Sequence, residues 1–226
     1  MRRQDPSPSV YAAEVTSPRR NRVTPTGDIV AIDLRGAWLG NRGILHDVHD
    51  VVRFHASDLW ITCALQFRDW RLPQWQPHHF TVLFFHDEAV SLAAGHRPCA
   101  LCRRPDYNAY RTALATASGR QPPSAKDLDR QLHLERIVRG THRRRVHRAR
   151  WDQLPAGTFV LDQDEPVLVL DDVVVPWTTR GYGARRTRPG RGDVDVLTPT
   201  SSVAALRGGY RPQVDPTATA PSGAQG

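Results

Sequence analysis

Lysine is almost absent from this chain of 226 residues: Lys126 is alone, so 30 of the 31 cationic side chains are arginines. Methionine occurs once and cysteine three times. No run of about 18 apolar residues occurs, which excludes a transmembrane helix. The basic start Met1-Arg2-Arg3-Gln4-Asp5-Pro6 carries no apolar segment, so no secretory signal is expected and a cytoplasmic location follows. An odd number of cysteines without an export signal argues against a disulfide framework. The patterns H-E-x-x-H, G-x-S-x-G and the P-loop are missing, so no reaction is specified.

What is present is positive charge, a formal +8. The arginine-to-lysine ratio itself follows from GC-rich coding, which also enriches Ala, Gly, Pro and Val. The placement of the charge is more informative. Residues 126–151 hold nine Lys and Arg against three acids. The stretch 178–191 holds five Arg and no acid, and residues 1–24 hold five against two. Clustering of this kind is the electrostatic footprint of a polyanion binder, usually nucleic acid.

Composition divides the chain. Residues 1–24 and 212–226, rich in Pro, Ser, Thr, Ala and Gly, are expected to be a disordered basic arm and a disordered tail. Between them, β-rich alternation predicts strands at 28–34, 51–55, 60–67 and 80–85. Asp87 is placed to cap a helix over 88–94, with Gly95 as its stop. A second helix is expected from Pro105 to about Ala117, and a third over 127–138. The Arg-dense 142–151 reads as a further helix within a basic linker, 119–154. Short strands at 158–161, 167–170, 173–175 and 194–198, then a helix at 201–206, form a small β-rich unit over 155–211. That unit is either a second domain or a sheet completing the first. The fold class expected is α+β: a small antiparallel sheet with a Cys-x-x-Cys knuckle and helices over 25–118, then the β-rich unit.

Cys99-Ala100-Leu101-Cys102 is half of a tetrahedral zinc site, a redox pair, or two unrelated thiols. An extended His96-Arg97-Pro98 before the pair and a helix after it suit a zinc knuckle. No βαβ unit surrounds it to suit a redox pair. Cys63, on a strand, is the natural third ligand, and the fourth would be a histidine.

The stretch from Phe80 to Arg104, with its aromatic strand end Phe84-Phe85, acidic-Ala helix and Ala94-Gly95-His96-Arg97-Pro98-Cys99-x-x-Cys102, resembles the C-terminal half of the Ada-type metal-binding domain. That resemblance implies Zn2+ on Cys99 and Cys102. It also implies DNA contact by basic residues near the metal, here Arg97, Arg103 and Arg104. It covers about 25 residues strongly and about 60 with Cys63. The family's upstream pair of ligands three residues apart is missing, since Leu59 and Phe67 flank Cys63. The remainder resembles an uncharacterised bacterial family.

Among ten histidines, the order for the fourth ligand is His55, His133, His46, because His55 lies upstream as in the related domain. His133 and Glu135, two apart on a helix, point about 200° from each other and cannot form a catalytic pair. The leading expectation is a zinc-stabilised nucleic-acid binder linked to DNA repair or regulation. Its phosphate contacts would come from Arg97, Arg103, Arg104, Arg143, Arg144, Arg145, Arg148, Arg185 and Arg186. The alternatives are a metal-assisted nuclease using His133, Glu135 or His46, and a protein-interaction module. No membrane partner is expected.

Overall fold

The computed structural model describes residues 18–70 and 74–220. In chain order the first part holds β1 (Arg22–Val23), β2 (Ile29–Val30), β3 (Trp38–Asn41), β4 (Ile61–Cys63), β5 (Leu83–Phe85), α1 (Glu88–Ala93), β6 (Arg97–Pro98), α2 (Arg104–Ser118) and α3 (Ala125–Arg136). The second part holds β7 (His147–Arg150), β8 (Phe159–Asp162), β9 (Glu165–Val169), β10 (Val173–Thr178), β11 (Gly181–Tyr182), β12 (Arg186–Thr187), β13 (Asp193–Val196), α4 (Thr200–Arg207) and α5 (Pro216–Thr219). The architecture is α+β, with two sheets. None of these helices is long and apolar enough to cross a membrane.

The first sheet has the order β2-β1-β5-β3-β4-β6, and the second β11-β10-β9-β8-β13-β7, with β12 also paired to β10. The first is mixed rather than antiparallel, because β1 runs parallel to β5 and β4 parallel to β6. One of its two middle strands, β3, carries Gly40-Asn41, a pair common in turns. The glycine serves close packing instead: a Cβ at Gly40 would overlap the Phe85 ring on β5.

The helices start and stop where local chemistry directs. The Asp87 carboxylate accepts from Val90 N at 2.8 Å and caps α1. Pro105 sits in the first turn of α2, and Gly119 ends it in the left-handed region at φ 64°. Ser124 caps α3 by accepting from Asp127 N at 3.2 Å.

The two sheets share one core. Val23, Leu83, Phe85, Ala89 and Val90 pack with Phe159, Leu168, Val175, Trp177 and Leu197. Helix α2 lies on α4 so closely that a Cβ at Gly208 would overlap the Ala113 carbonyl.

Three expectations are corrected. The Arg-dense 142–151 is not a helix: β7 pairs antiparallel with β13, Val194 opposite Ala149. Its alternation of half-buried and exposed residues has the strand period of two. Part of the expected arm is ordered, since Arg22 and Val23 pair with Phe84 and Phe85; residues 1–17 lie outside the described residues. The tail is anchored as far as residue 220. Asp215 N donates to Asp87 Oδ2 at 2.9 Å, Gln213 N donates to Glu88 Oε2 at 3.0 Å, and Ala218 is fully buried. Residues 221–226 lie outside the described residues. Composition missed this because two buried carboxylates at the start of α1, Asp87 and Glu88, hold the segment, together with a few small apolar contacts from Val214 and Ala218.

Candidate metal centre and basic hairpin

The parallel pairing of β4 with β6 sets Thr62 opposite Pro98. One residue further on, Cys63 comes beside Cys99, whose N donates to Thr62 O at 2.9 Å. The turn into α2 returns Cys102 to the same point, held by Arg103 N donating to Cys99 O at 3.1 Å. The three sulfurs lie within 4.8 Å of one another and can hold a metal ion. Backbone N–H groups face two of them: Ala64 N is 3.4 Å from Cys102 Sγ, and Leu101 N is 3.4 Å from Cys99 Sγ.

Hydrogen bonds from Cys102 and Cys63 drive the Cys99 thiol down to about 2. Hydrogen bonds to Cys102 and Cys99, with burial, push Cys63 strongly up. An ionised Cys99 sulfur thus accepts hydrogen bonds from the neighbouring thiols. A divalent cation at their common point would displace those protons and neutralise the thiolates. Beside the sulfurs opens an apolar pocket of about 200 Å³, lined in part by Leu39, Ile61, Phe67, Trp70 and Leu101.

No fourth His, Cys, Asp or Glu joins this group among the described residues. The assignment of His55 is therefore corrected. His55 stacks edge-on to His133, with ring centroids 5.2 Å apart, and lies 6.0 Å from His142. These three, with Asp58, Arg139 and Arg145, line a separate cleft of about 440 Å³. His46 is committed to Thr81 Oγ1 at 2.6 Å and stacks on Trp75. The loop 42–59 carries both His46 and His55 away from β4, and spacing alone did not reveal that path.

The arginines divide by burial. Arg97 is buried in a bidentate pair with Asp129, at 2.7 and 2.8 Å. Arg103 is buried against Glu88 at 2.7 Å and lies over the Trp38 ring. Neither is placed to meet a phosphate, which corrects both assignments. The side chain of Arg144 turns inward to the carbonyls of Ala93 and Leu197, so it too is withdrawn from the surface. Arg185 is half-buried and donates to Ala218 O. Arg186 is exposed but paired with Glu165 at 2.7 Å. Arg104, Arg143, Arg145 and Arg148 are exposed. Glu135 accepts from Ser201 N and Oγ, and so ties α3 to α4 while His133 faces the cleft.

A buried basic centre was not anticipated. Trp60 is fully buried between Arg42 at 4.0 Å and Arg136 at 4.1 Å from its ring centroid. Desolvated cation–π contacts of this kind contribute about 2 kcal/mol each. His96, also fully buried, accepts from Arg42 Nε at 3.2 Å. The Trp60 and His96 aromatic positions were visible in the sequence, but nothing there marked Arg42 or Arg136 as inward-facing.

Burial, reinforced by the guanidinium charges of Arg42, Arg136 and Arg144, holds His96 well below its ordinary 6.5. Burial likewise lowers His55, His133 and His147. Unfolding frees these imidazoles to take up protons near pH 6.5, whereas the folded chain resists protonation until lower pH. Their contribution to stability is therefore complete above about pH 6.5 and is lost as pH falls below it. The urea midpoint is expected to be lower at pH 5 than at pH 7.5, with a shallower fall for His96→Gln. Equal midpoints at the two pH values would refute this.

Comparison with family models, with curated proteins and with solved structures finds no match. The chain is thus defined by its own structure: an α+β protein carrying a three-cysteine group that can hold a metal.

Proposed function

We propose that the chain is a zinc-stabilised nucleic-acid-binding protein. The observation that carries the binding is the segment from Arg139 to Arg148. Arg139, Arg143 and Arg145 are exposed, and none has a carboxylate within 4 Å among the described residues. Arg148 is exposed, with Asp195 only at 3.9 Å. The segment is held in place by the Ile137–Arg144 bridge and by β7 in the second sheet. Solvated arginines on a fixed backbone suit phosphate contacts, and their charge needs no sequence preference in the partner. Arg104 and Arg186 lie on other elements and would extend the contact. DNA is the expected partner.

Zinc is the metal favoured by a cluster of three thiolates. It would staple β4 to the turn entering α2. Cys63, Cys99 and Cys102 would hold it. The Ada-like resemblance of residues 80–104 agrees with Cys99 and Cys102 as ligands and supplies the link to repair or regulation.

Anisotropy titration of labelled single- and double-stranded DNA and RNA across a salt series tests the reading. Affinity is expected to fall linearly in log–log form, and Arg143→Ala with Arg148→Ala to reduce the slope by about 1 per residue. Absence of binding at low salt would sink it.

A further inference from the structure

A cleft of about 440 Å³ opens at the basic hairpin, a size within the range of small-ligand sites. The end of α3 lines it with His133 and Leu134, and the loop before β4 with His55 and Asp58. The hairpin itself adds Arg139, His142 and Arg145. Val138 N donates to Arg143 O and Arg145 N to Arg136 O, both at 3.0 Å, and Gly140 turns the chain between them at φ 74°. The hairpin residues of the cleft are therefore carried on a closed turn.

The three imidazoles are neighbours, with His55 in the middle: its ring centroid is 5.2 Å from that of His133 and 6.0 Å from that of His142. They are not gathered for a metal. Among the described residues only the cysteine group brings three ligand atoms within 4.8 Å of one another. His133 Nδ1 is engaged, at 3.2 Å from Arg136 Nη2 and 3.4 Å from Asp58 Oδ1, which leaves its Nε2 for a ligand. Asp58 is the one acid of the lining, and its side chain is 61% exposed. Against it stand Arg139 and Arg145, neither with a carboxylate within 4 Å among the described residues. The cleft thus combines an excess of positive charge with imidazole donors, in a concave space that has room for an anion.

A phosphodiester inside a strand carries one charge, and exposed arginines such as Arg143 and Arg148 meet it without a cavity. A terminal phosphate carries nearly two charges and three free oxygens, and it can enter a cleft end-on. Leu134, 55% exposed, offers an apolar surface to the sugar or base behind it. We propose that this cleft binds the terminal phosphate of a nucleotide, brought either by a free nucleotide or by the end of a nucleic-acid strand. Arg139 and Arg145 supply the charge-assisted hydrogen bonds, and the imidazoles of His55, His133 and His142 supply further donors. The strand-end source rests on the nucleic-acid reading above; the free-nucleotide source does not.

Anisotropy titration of the full chain with a 3′-labelled DNA strand, ending in either a 5′-phosphate or a 5′-hydroxyl, tests the cleft at constant ionic strength. Calorimetry with a nucleoside 5′-monophosphate supplies the second arm. A phosphorylated strand bound at least about fivefold tighter than the hydroxyl strand assigns the strand end, a preference no larger than one charge-assisted hydrogen bond can give. Saturable binding of the monophosphate, with the two strands alike, assigns the free nucleotide. In whichever arm binds, Arg145→Ala and His142→Ala are each expected to remove most of the strand preference or to weaken the monophosphate at least about threefold. Both residues are exposed, so neither variant puts folding at stake. Arg120→Ala, exposed and outside the cleft, is expected to leave both readings within about twofold, which separates the cleft from net charge. Strands that bind alike without any monophosphate binding would overturn the cleft and leave the nucleic-acid surface standing. Monophosphate binding without strand binding would do the reverse. A preference that survives both cleft variants would also overturn the proposal.

Discussion

Glu88→Ala is expected to destabilise the chain by about 3–5 kcal/mol, the usual cost of leaving one member of a buried ion pair without its partner. Glu88 is 2% exposed and Arg103 4%. Their 2.7 Å contact is the centre of a larger junction. The Tyr210 hydroxyl donates to Glu88 Oε1 at 2.6 Å, and Gln213 N donates to Oε2 at 3.0 Å. Truncation therefore strands a phenol and a backbone amide and leaves the buried Arg103 guanidinium with only the more exposed Asp106, at 3.0 Å. It also releases the C-terminal segment from α1. Glu88→Gln, which keeps the shape and one acceptor oxygen, is expected to lose less. Replacing Glu88 and Arg103 together by leucine should recover much of the loss, because no unpaired charge then remains. Urea denaturation measures all three variants, and a cost below about 1 kcal/mol for Glu88→Ala would show the pair to be solvated in practice.

Loss of one thiolate has the other large effect. Cys99 receives hydrogen bonds from both neighbouring sulfurs, so Cys99→Ser removes the most acidic of the three ligands. Metal analysis of the purified wild type should find about one zinc per chain, and Cys99→Ser should abolish it. Structural zinc sites contribute folding free energy directly, so a strong chelator should lower the melting temperature of the wild type and leave that of Cys99→Ser unchanged. Cobalt substitution reads the ligand set without reference to activity, through a thiolate-to-metal absorption band that Cys63→Ser should diminish. A metal-free wild type indifferent to the chelator would remove the zinc reading and leave the thiols as a hydrogen-bonded trio.

The metal group shows how far spacing carries. Cys99 and Cys102 could be paired from their separation, and Cys63 from its place on a strand, because a strand and a turn constrain where their side chains go. The fourth ligand could not be found this way. His55 is eight residues before Cys63, but the loop between them turns it toward His133 on α3. Loop paths depend on contacts made elsewhere in the chain, and periodicity is silent about them.

The arginines teach the same lesson from the other side. Counting placed nine cationic residues in 126–151, and exposure does hold for Arg139, Arg143, Arg145 and Arg148. Arg144, between two of them, points into the core because β-type alternation sends neighbours to opposite sides. The expected helix there would have scattered these charges differently.

Sequence alone determined the secondary elements whose signals are local: the cap at Asp87, the stop at Gly95, the β-branched strands after Thr158. It also determined the net charge and the supply of thiols. Tertiary structure alone decided which charges face water. It joined two sheets over one core, anchored a tail of low hydrophobicity to two buried carboxylates, and collected Arg42, Arg136 and Arg144 from three distant segments. The physical reason is that burial and ion pairing are properties of groups brought together across the chain, while capping and alternation act within a few residues.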